Sequence, residues 1–252
     1  MEQLSTYFQN AVSGKRILIT GGTTGIGREI AIQLAAAGGR CVICGRSQEP
    51  LDQTMAEINS NDNPLSNIGL VADLAVADDI YRIFEAVDNE LGGIDVLINN
   101  AAVAYGSILE GNYQDWQYVI NTNLLGYLTC SNEAAKRMLA SGSGHIINIG
   151  SMSADVREEN SSVYVATKSG IQGFSEALRK ELNPGGIKVS LIEPGAVDTD
   201  MQPASGIEKA EQVKNLEMLK AHDIAMAVLF CLAQPLRSDV VRIQIRPHLQ
   251  LI

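Results

Sequence analysis

The sequence has 252 residues, of which 46% are hydrophobic and 19% charged, proportions typical of a globular enzyme and unlike those of a disordered or fibrous chain. Its formal net charge of -10 argues against binding to nucleic acid or to an anionic membrane, because both attract clustered Lys and Arg. Residues 1–15 lack the basic and apolar regions of a secretory signal, and no apolar run is long enough to cross a bilayer. We therefore expect a cytoplasmic protein without nucleic-acid or membrane partners.

The four cysteines all lie in apolar segments, as expected for free thiols in a reducing compartment. Cys41 and Cys44 form a C-x-x-C pair within one predicted strand, where a spacing of three residues places their side chains on opposite faces of the sheet. That geometry disfavours a disulfide or a zinc site. The three histidines are far apart and show no metal-ligand spacing, so no metal is predicted.

Seven short aliphatic or β-branched runs are predicted to be strands, at 16–20, 40–44, 67–71, 94–98, 145–149, 187–192 and 240–245. Segments of helical periodicity lie between them, among them 26–37, 77–91, 116–139 and 163–182. This alternation predicts right-handed crossovers and a parallel sheet covered on both faces. We therefore predict an α/β chain with a doubly wound Rossmann fold and a seven-stranded parallel sheet. Since no linker divides the sequence, we expect one domain over residues 1–252.

The first predicted strand runs directly into the glycine-rich turn TGGTTGIG, residues 20–27, and then into a helix. Gly21 would permit the tight turn, Gly25 would let the backbone approach a pyrophosphate, and Gly27 would let helix and strand pack closely. The helix N-terminus adds free N–H groups and the positive end of the helix dipole. This context predicts a dinucleotide site, and a plain glycine-rich turn is the alternative.

The second predicted strand ends in Cys44-Gly45-Arg46-Ser47, at the position where an acidic residue would hold the ribose 2′-hydroxyl of NAD. No acidic residue stands there. An Asp or Glu would repel the 2′-phosphate of NADP, whereas Arg46 can grip it through charge-assisted hydrogen bonds. The sequence therefore favours NADP over NAD, and a solvated surface arginine is the alternative.

Tyr164 and Lys168 form a Y-x-x-x-K pair early in a predicted helix, one turn apart on the same face. A neighbouring ammonium would favour the phenolate and lower the pKa of Tyr164 toward the range useful for a general acid or base. Such a pair alone is weak evidence for a catalytic site, because most Tyr and Lys side chains on helices lie at the surface. Ser151 follows the fifth strand at the carboxyl edge of the sheet, where its hydroxyl could hydrogen-bond a substrate carbonyl.

Other polar residues fall near the same edge of the predicted sheet. The fourth strand ends in Asn99-Asn100-Ala101-Ala102. Asn123 lies within an apolar helix, where a polar residue indicates a specific structural or functional role. The sixth strand ends in EPGAVDT, residues 193–199, and the polar segment 196–220 begins there. Because ligands bind beyond the carboxyl ends of strands in such sheets, we predict that 196–220 is a substrate lid, with a plain surface hairpin as the alternative.

With these motifs in order, residues 14–234 resemble the short-chain dehydrogenase/reductase family, in its single-domain branch. The resemblance implies that Asn123, Ser151, Tyr164 and Lys168 are catalytic. It implies cofactor contacts at Gly21, Thr23, Thr24, Gly25, Ile26, Gly27, Arg46, Asp73, Leu74, Asn100, Ala101, Tyr164, Lys168, Pro194, Gly195, Val197 and Thr199, with Asn99 and its neighbours bordering the adenosine ribose. Tyr164 would donate a proton to the alkoxide that hydride from NADPH creates, Ser151 would stabilise that oxygen, and Asn123 would hold a water joining Lys168 to solvent.

The C-terminal strand departs from many family members, since it runs into Arg246-Pro247 and resembles NADP-linked 3-hydroxy acid and aldehyde reductases. Family resemblance also implies a homo-oligomer, a tetramer or a dimer. A 3-oxoacyl-carrier-protein reductase is an alternative function, although the acidic balance disfavours an acidic carrier. A non-catalytic NADP-binding regulator is another, but such a protein could dispense with Ser151, Tyr164 and Lys168.

Overall fold

Seven parallel strands form the main sheet of the computed structural model, which describes residues 2–60, 67–202 and 204–250. Together with a separate short pair, the described residues form nine strands: β1 (Arg16–Thr20), β2 (Arg40–Gly45), β3 (Ile68–Val71), β4 (Val96–Asn99), β5 (Gly144–Ile149), β6 (Ile187–Pro194), β7 (Val197–Asp198), β8 (Leu219–Lys220) and β9 (Arg242–Ile245). The main sheet has the order β3-β2-β1-β4-β5-β6-β9, and β7 pairs with β8 apart from it. The predicted seven-stranded doubly wound architecture is confirmed, and strand ends differ by one or two residues.

Helices connect the strands and cover both faces of the sheet. They are α1 (Glu2–Val12), α2 (Gly25–Ala36), α3 (Gln48–Ser60), α4 (Ala77–Ala86), α5 (Tyr113–Ile120), α6 (Gly126–Ser141), α7 (Ser153–Val156), α8 (Ser162–Leu182), α9 (Gly206–Lys214) and α10 (Ala221–Leu232). One core layer combines the odd-numbered positions of β1 with α2, α3 and α10, and the other combines Leu18 with α4, α6 and α8. Strands buried on both faces read as continuous apolar runs, which is why they were predictable.

Cys41 belongs to the first core layer and Cys44 to the second, so their predicted placement on opposite faces of β2 is confirmed. All four cysteines are buried free thiols. Burial raises the pKa of both Cys41 and Cys44 to about 12, because the thiolate would lose its hydration. At neutral pH these thiols are therefore protonated and behave as small apolar side chains.

Three predicted segments differ in detail from the structure. The helix predicted at 116–139 begins earlier, at Tyr113, ends at Ser141, and contains a π-helical turn at Asn121–Leu125. The helix predicted at 77–91 also ends in a π-helical turn, Val87–Leu91. The segment 196–220 is more regular than predicted, because it holds β7, α9 and β8; its residue 203 lies outside the described residues.

Candidate active site

A cleft of about 860 Å³ opens at the carboxyl ends of the central strands. It is lined by residues that follow β1, β2, β4, β5 and β6. β1 pairs with β2 on one side and with β4 on the other, and the connections leave in opposite directions at this point. Such a topological switch point separates the loops and leaves a crevice between them, which is where ligands bind in doubly wound sheets.

The glycine-rich turn forms one wall of the cleft, with Gly21, Thr23, Thr24, Gly25 and Ile26 facing it. Gly21 has a φ of +62°, and a Cβ there would lie 2.8 Å from Ala101 Cα, so only glycine fits. Gly27 lies beneath the turn, where a Cβ would come within 2.1 Å of the Gly21 carbonyl oxygen. The Thr24 side chain makes no capping hydrogen bond to α2, which leaves the first N–H groups of that helix for an anion.

Arg46, directly after β2, lines the cleft and is held by a residue that the sequence analysis did not single out. One of its terminal nitrogens donates to the Tyr118 hydroxyl at 2.8 Å. That hydroxyl in turn donates to Asp73 Oδ2 at 2.9 Å. The chain from Arg46 through Tyr118 to Asp73 therefore fixes a cation and a carboxylate at one end of the cleft.

The asparagine pair that ends β4 divides between cleft and core. Asn100 lines the cleft and donates to the carbonyl oxygens of Thr20 and Gly21, each at 3.1 Å, which ties the glycine-rich turn to β4. Asn99 is fully buried and instead donates to Ser131 Oγ and Asn148 Oδ1. Of Asn99 and its neighbours, which were expected to border the adenosine ribose, Asn100 and Ala101 therefore line the cleft and the Asn99 side chain lies in the core, since consecutive residues at a strand end point to opposite faces.

Ser151, Tyr164 and Lys168 meet in the cleft. Lys168 is buried, with its Nζ 3.0 Å from the Ile149 carbonyl oxygen and 5.7 Å from the centre of the Tyr164 ring. The Tyr127 hydroxyl donates to that same carbonyl, at 3.1 Å. The carbonyl oxygen at the end of β5 thus binds the Lys168 ammonium. Ser151, two residues after Ile149, lies within hydrogen-bonding distance of Tyr164.

The electrostatics of Tyr164 differ from the prediction. Burial raises its pKa to about 12, the hydrogen bond with Ser151 lowers it, and the nearby charge of Glu158 raises it. Burial also lowers the pKa of Lys168 to about 8. The predicted lowering by the Lys168 ammonium is therefore wrong for the site as described, because desolvation penalises both charged forms more than their mutual attraction favours them.

Asn123 and Thr122 lie in the π-helical turn after α5. The Asn123 amide is fully buried and exchanges two hydrogen bonds of 2.8 Å with the backbone of Val103, so it braces the segment after β4 and does not reach the cleft surface. Thr122 does line the cleft, and its buried Oγ1 finds no hydrogen-bond partner among the described residues. Because this oxygen is shielded from solvent, the Thr122 side chain would have to rotate toward the cleft to bind a polar group of a ligand.

The far wall follows β6 and includes Pro194, Gly195, Val197 and Thr199. The C-terminal tail supports it: the Ala196 N–H donates to Gln250 Oε1 at 3.1 Å, and the Leu249 N–H donates to the Leu216 carbonyl oxygen at 2.9 Å. The tail therefore contacts both ends of the segment 196–220. Gln250 itself lines the cleft, a role that its place in the sequence did not indicate.

Most predicted site residues come together in this cleft. Those that line it are Gly21, Thr23, Thr24, Gly25, Ile26, Arg46, Asp73, Leu74, Asn100, Ala101, Ser151, Tyr164, Lys168, Pro194, Gly195, Val197 and Thr199. Gly27 and Asn123 lie behind its walls. Within residues 2–60, 67–202 and 204–250, no group of three or more His, Cys, Asp or Glu side chains could hold a metal ion. No helix in that same part of the chain is long and apolar enough to cross a membrane.

Comparisons with known proteins agree with this geometry. The family model described as short chain dehydrogenase matches residues 15–210. An uncharacterized oxidoreductase of Staphylococcus epidermidis is 34% identical over 94% of this chain and 98% of its own length. The crystal structure of a short chain dehydrogenase from Burkholderia cenocepacia in complex with NADP is 32% identical, with a TM-score of 0.84 over 94% of this chain and 98% of that one. A metagenomic short-chain oxidoreductase in complex with NADP is 28% identical, with a TM-score of 0.80 over 95% and 99% of the two chains.

Proposed function

Because the chain belongs to the short-chain dehydrogenase/reductase family and is an oxidoreductase, we propose that it uses NADP(H) to interconvert a carbonyl and an alcohol on a small molecule. The observation that carries the proposal is the meeting of Ser151, Tyr164 and Lys168 in the same cleft as the glycine-rich turn. Fold alone does not assign a reaction, and a proton donor beside a dinucleotide cradle supports this one.

The described residues fit a dinucleotide. Gly21 and Gly25 have positive φ values of +62° and +52° in the turn where the backbone would approach a pyrophosphate, and the Thr122 hydroxyl beside the cleft is unpaired among the described residues. Arg46 supports NADP over NAD, because it presents a positive charge beside the end of β2, where no carboxylate follows the strand. The two NADP complexes of similar fold described above are consistent with this preference.

Each catalytic side chain then has a distinct proposed role. The nicotinamide, when bound, supplies or accepts the hydride. Tyr164 donates its phenolic proton to the substrate oxygen in reduction and removes it in oxidation. Ser151 hydrogen-bonds that oxygen and stabilises its developing charge. Lys168, held by Ile149, supplies positive charge below the phenol and a ribose contact, and Asn123 positions the segment after β4 that borders it.

The test compares the wild-type protein with Tyr164→Phe, which removes only the hydroxyl. NADPH and NADH are titrated by fluorescence, and oxidation of NADPH is followed by absorbance across ketones, aldehydes and 3-oxoesters. We expect tight NADPH binding by both proteins and turnover by the wild type alone, reduced at least about 1,000-fold in the variant because the proton donor is lost. Near-normal turnover by Tyr164→Phe would exclude the assigned role.

We also propose that residues 196–220 form a lid over the substrate end of a single domain spanning 1–252. Support comes from the position of the segment, since Val197 and Thr199 line the cleft and the tail residues Gln250 and Leu249 anchor its two ends. Protection of α9 amides from hydrogen exchange on adding NADPH and substrate tests this idea; unchanged protection would contradict it.

We further propose that the protein is a homo-oligomer, either a tetramer or a dimer, and that it is located in the cytoplasm. Ile120 on α5, Leu125 in the π-helical turn and Leu139 on α6 are about half exposed, and β9 is an edge strand, features that a second copy could cover. The four free cysteines are consistent with a reducing compartment. Light scattering coupled to size-exclusion chromatography measures the assembly directly, and a monomer at micromolar concentration would contradict it.

A further inference from the structure

The cleft that contains Ser151 and Tyr164 is also lined by two carboxylates, Glu158 and Asp200, and by Met152, Met201 and Tyr105. Glu158 accepts a hydrogen bond from Ser153 Oγ at 3.1 Å, so its carboxylate is held next to the segment that carries Ser151. It also lies near enough to Tyr164 to perturb the phenol electrostatically. An acidic side chain there is a neighbour of the proposed reaction centre and not only a solvated surface charge.

Neither cation in the described lining of the cleft forms an ion pair with Glu158 or Asp200. Among the described residues that line the cleft, the cations are Arg46, which is bound to Tyr118, and Lys168, whose ammonium is buried against Ile149. Lys209 lies close by but is turned to the Thr199 carbonyl oxygen and to Asp198. Arg157, beside Glu158 in sequence, donates to Ala154 instead. An anionic group on a substrate would therefore be repelled by carboxylates that no lining cation neutralises.

We infer that the substrate, given the proposed function, is an uncharged or cationic carbonyl compound or alcohol, and that Glu158 and Asp200 are specificity-determining residues that reject anionic ones. The apolar side chains would pack against the hydrocarbon part of a substrate. The two carboxylates would repel an anionic substrate and attract a cationic one. The same arrangement disfavours an acyl group delivered by an acidic carrier protein. Each exposed carboxylate should change the relative kcat/KM of an anionic substrate by about three-fold, since water screens it strongly.

The experiment uses three aldehydes of nearly the same shape: methyl 4-formylbenzoate, 4-formylbenzoate and 4-(trimethylammonio)benzaldehyde. kcat/KM is measured at low salt for the wild type, Glu158→Gln, Asp200→Asn and the double variant. Glu159→Gln is the matched control, because it removes the same charge from the adjacent exposed residue, which does not line the cleft. We expect the wild type to favour the ester over the carboxylate about ten-fold, the double variant to remove most of this preference, and Glu159→Gln to keep it.

Salt gives a second reading, since about 1 M NaCl shortens the Debye length to about 3 Å and should shrink the preference in the wild type. Equal kcat/KM for ester and carboxylate, or equal effects of Glu158→Gln and Glu159→Gln, would overturn the inference. Dissociation constants of the three aldehydes for NADPH-bound Tyr164→Phe repeat the comparison without turnover. If the wild type turns over none of the aldehydes but the carboxylate binds more weakly than the ester, the proposed function is rejected and the charge preference stands. If the wild type turns over ester and carboxylate equally well, the proposed function stands and the charge preference is rejected.

Discussion

Replacing Arg46 by alanine should weaken NADPH binding far more than NADH binding. The guanidinium is exposed at the cleft, and its hydrogen bond to Tyr118 holds it in place without occupying all of its donors. A charge-assisted hydrogen bond to the 2′-phosphate contributes about 1.5 to 3 kcal/mol, and solvent exposure places Arg46 toward the lower half of that range. We therefore expect the Kd for NADPH to rise about 10- to 50-fold.

NADH lacks the 2′-phosphate, so its Kd should change by less than about three-fold. Fluorescence titration of both cofactors at fixed ionic strength gives the two numbers. Arg179→Ala serves as the matched control, because Arg179 pairs with Glu176 near the end of α8 and does not line the cleft. It removes the same net charge from the protein and should alter neither Kd.

Tyr118→Phe separates the position of the charge from its presence. The variant keeps Arg46 but removes the hydroxyl that accepts from it and donates to Asp73. We expect an intermediate loss of NADPH affinity, about three- to five-fold, since the arginine then samples more rotamers. If Arg46→Ala weakens NADPH and NADH equally, the contact to the 2′-phosphate is refuted and Arg46 is a general anchor for the dinucleotide.

Two other predictions concern buried polar groups. Thr122→Val replaces an unpaired buried hydroxyl by a methyl, so the free energy of unfolding should stay level or rise while the Kd for NADPH increases about three- to ten-fold; an unchanged Kd would exclude the hydroxyl as a ligand contact. Burial lowers the pKa of His145 to about 3, below its unfolded value near 6.5, so protonation favours the unfolded chain and stability is lost as pH falls from about 6.5 toward 3. Urea unfolding should show the wild type losing up to about 1.4 kcal/mol per pH unit more than His145→Gln between pH 6 and 4.5, and parallel profiles would contradict this.

The sequence alone was enough to predict features that depend on local backbone geometry. Gly21 and Gly27 could be assigned because a tight strand-to-helix turn leaves no space for a Cβ, and Cys41 and Cys44 because side chains alternate along a strand. The π-helical turn at Asn121–Leu125 was not predictable, since one inserted residue barely changes the apolar period of a long helix.

Contacts between distant segments were also beyond sequence reasoning. Tyr118 reaches Arg46 across 72 residues of sequence, and Gln250 reaches Ala196 across 54. Neither residue belongs to a motif, and both lie where helical period or tail composition indicates only a surface position. Their contacts depend on how α5 and the C-terminal tail pack against the loops that follow β2 and β6. Packing of this kind is decided by the whole fold, and no local pattern records it.

Tyr164 shows how burial can reverse a conclusion drawn from a charged neighbour. Spacing along a helix correctly placed Lys168 near the phenol, but the ammonium donates to Ile149, Lys168 is buried and Tyr164 is partly buried. With the pKa of Tyr164 at about 12 and that of Lys168 at about 8, the pair at pH 7 is a neutral phenol above a mostly protonated amine. A protonated phenol is the form that can donate to a developing alkoxide. The described site is therefore in the protonation state that carbonyl reduction needs, whereas alcohol oxidation requires the phenol to ionise, and the hydrogen bond from Ser151 is the interaction that lowers its pKa toward that state.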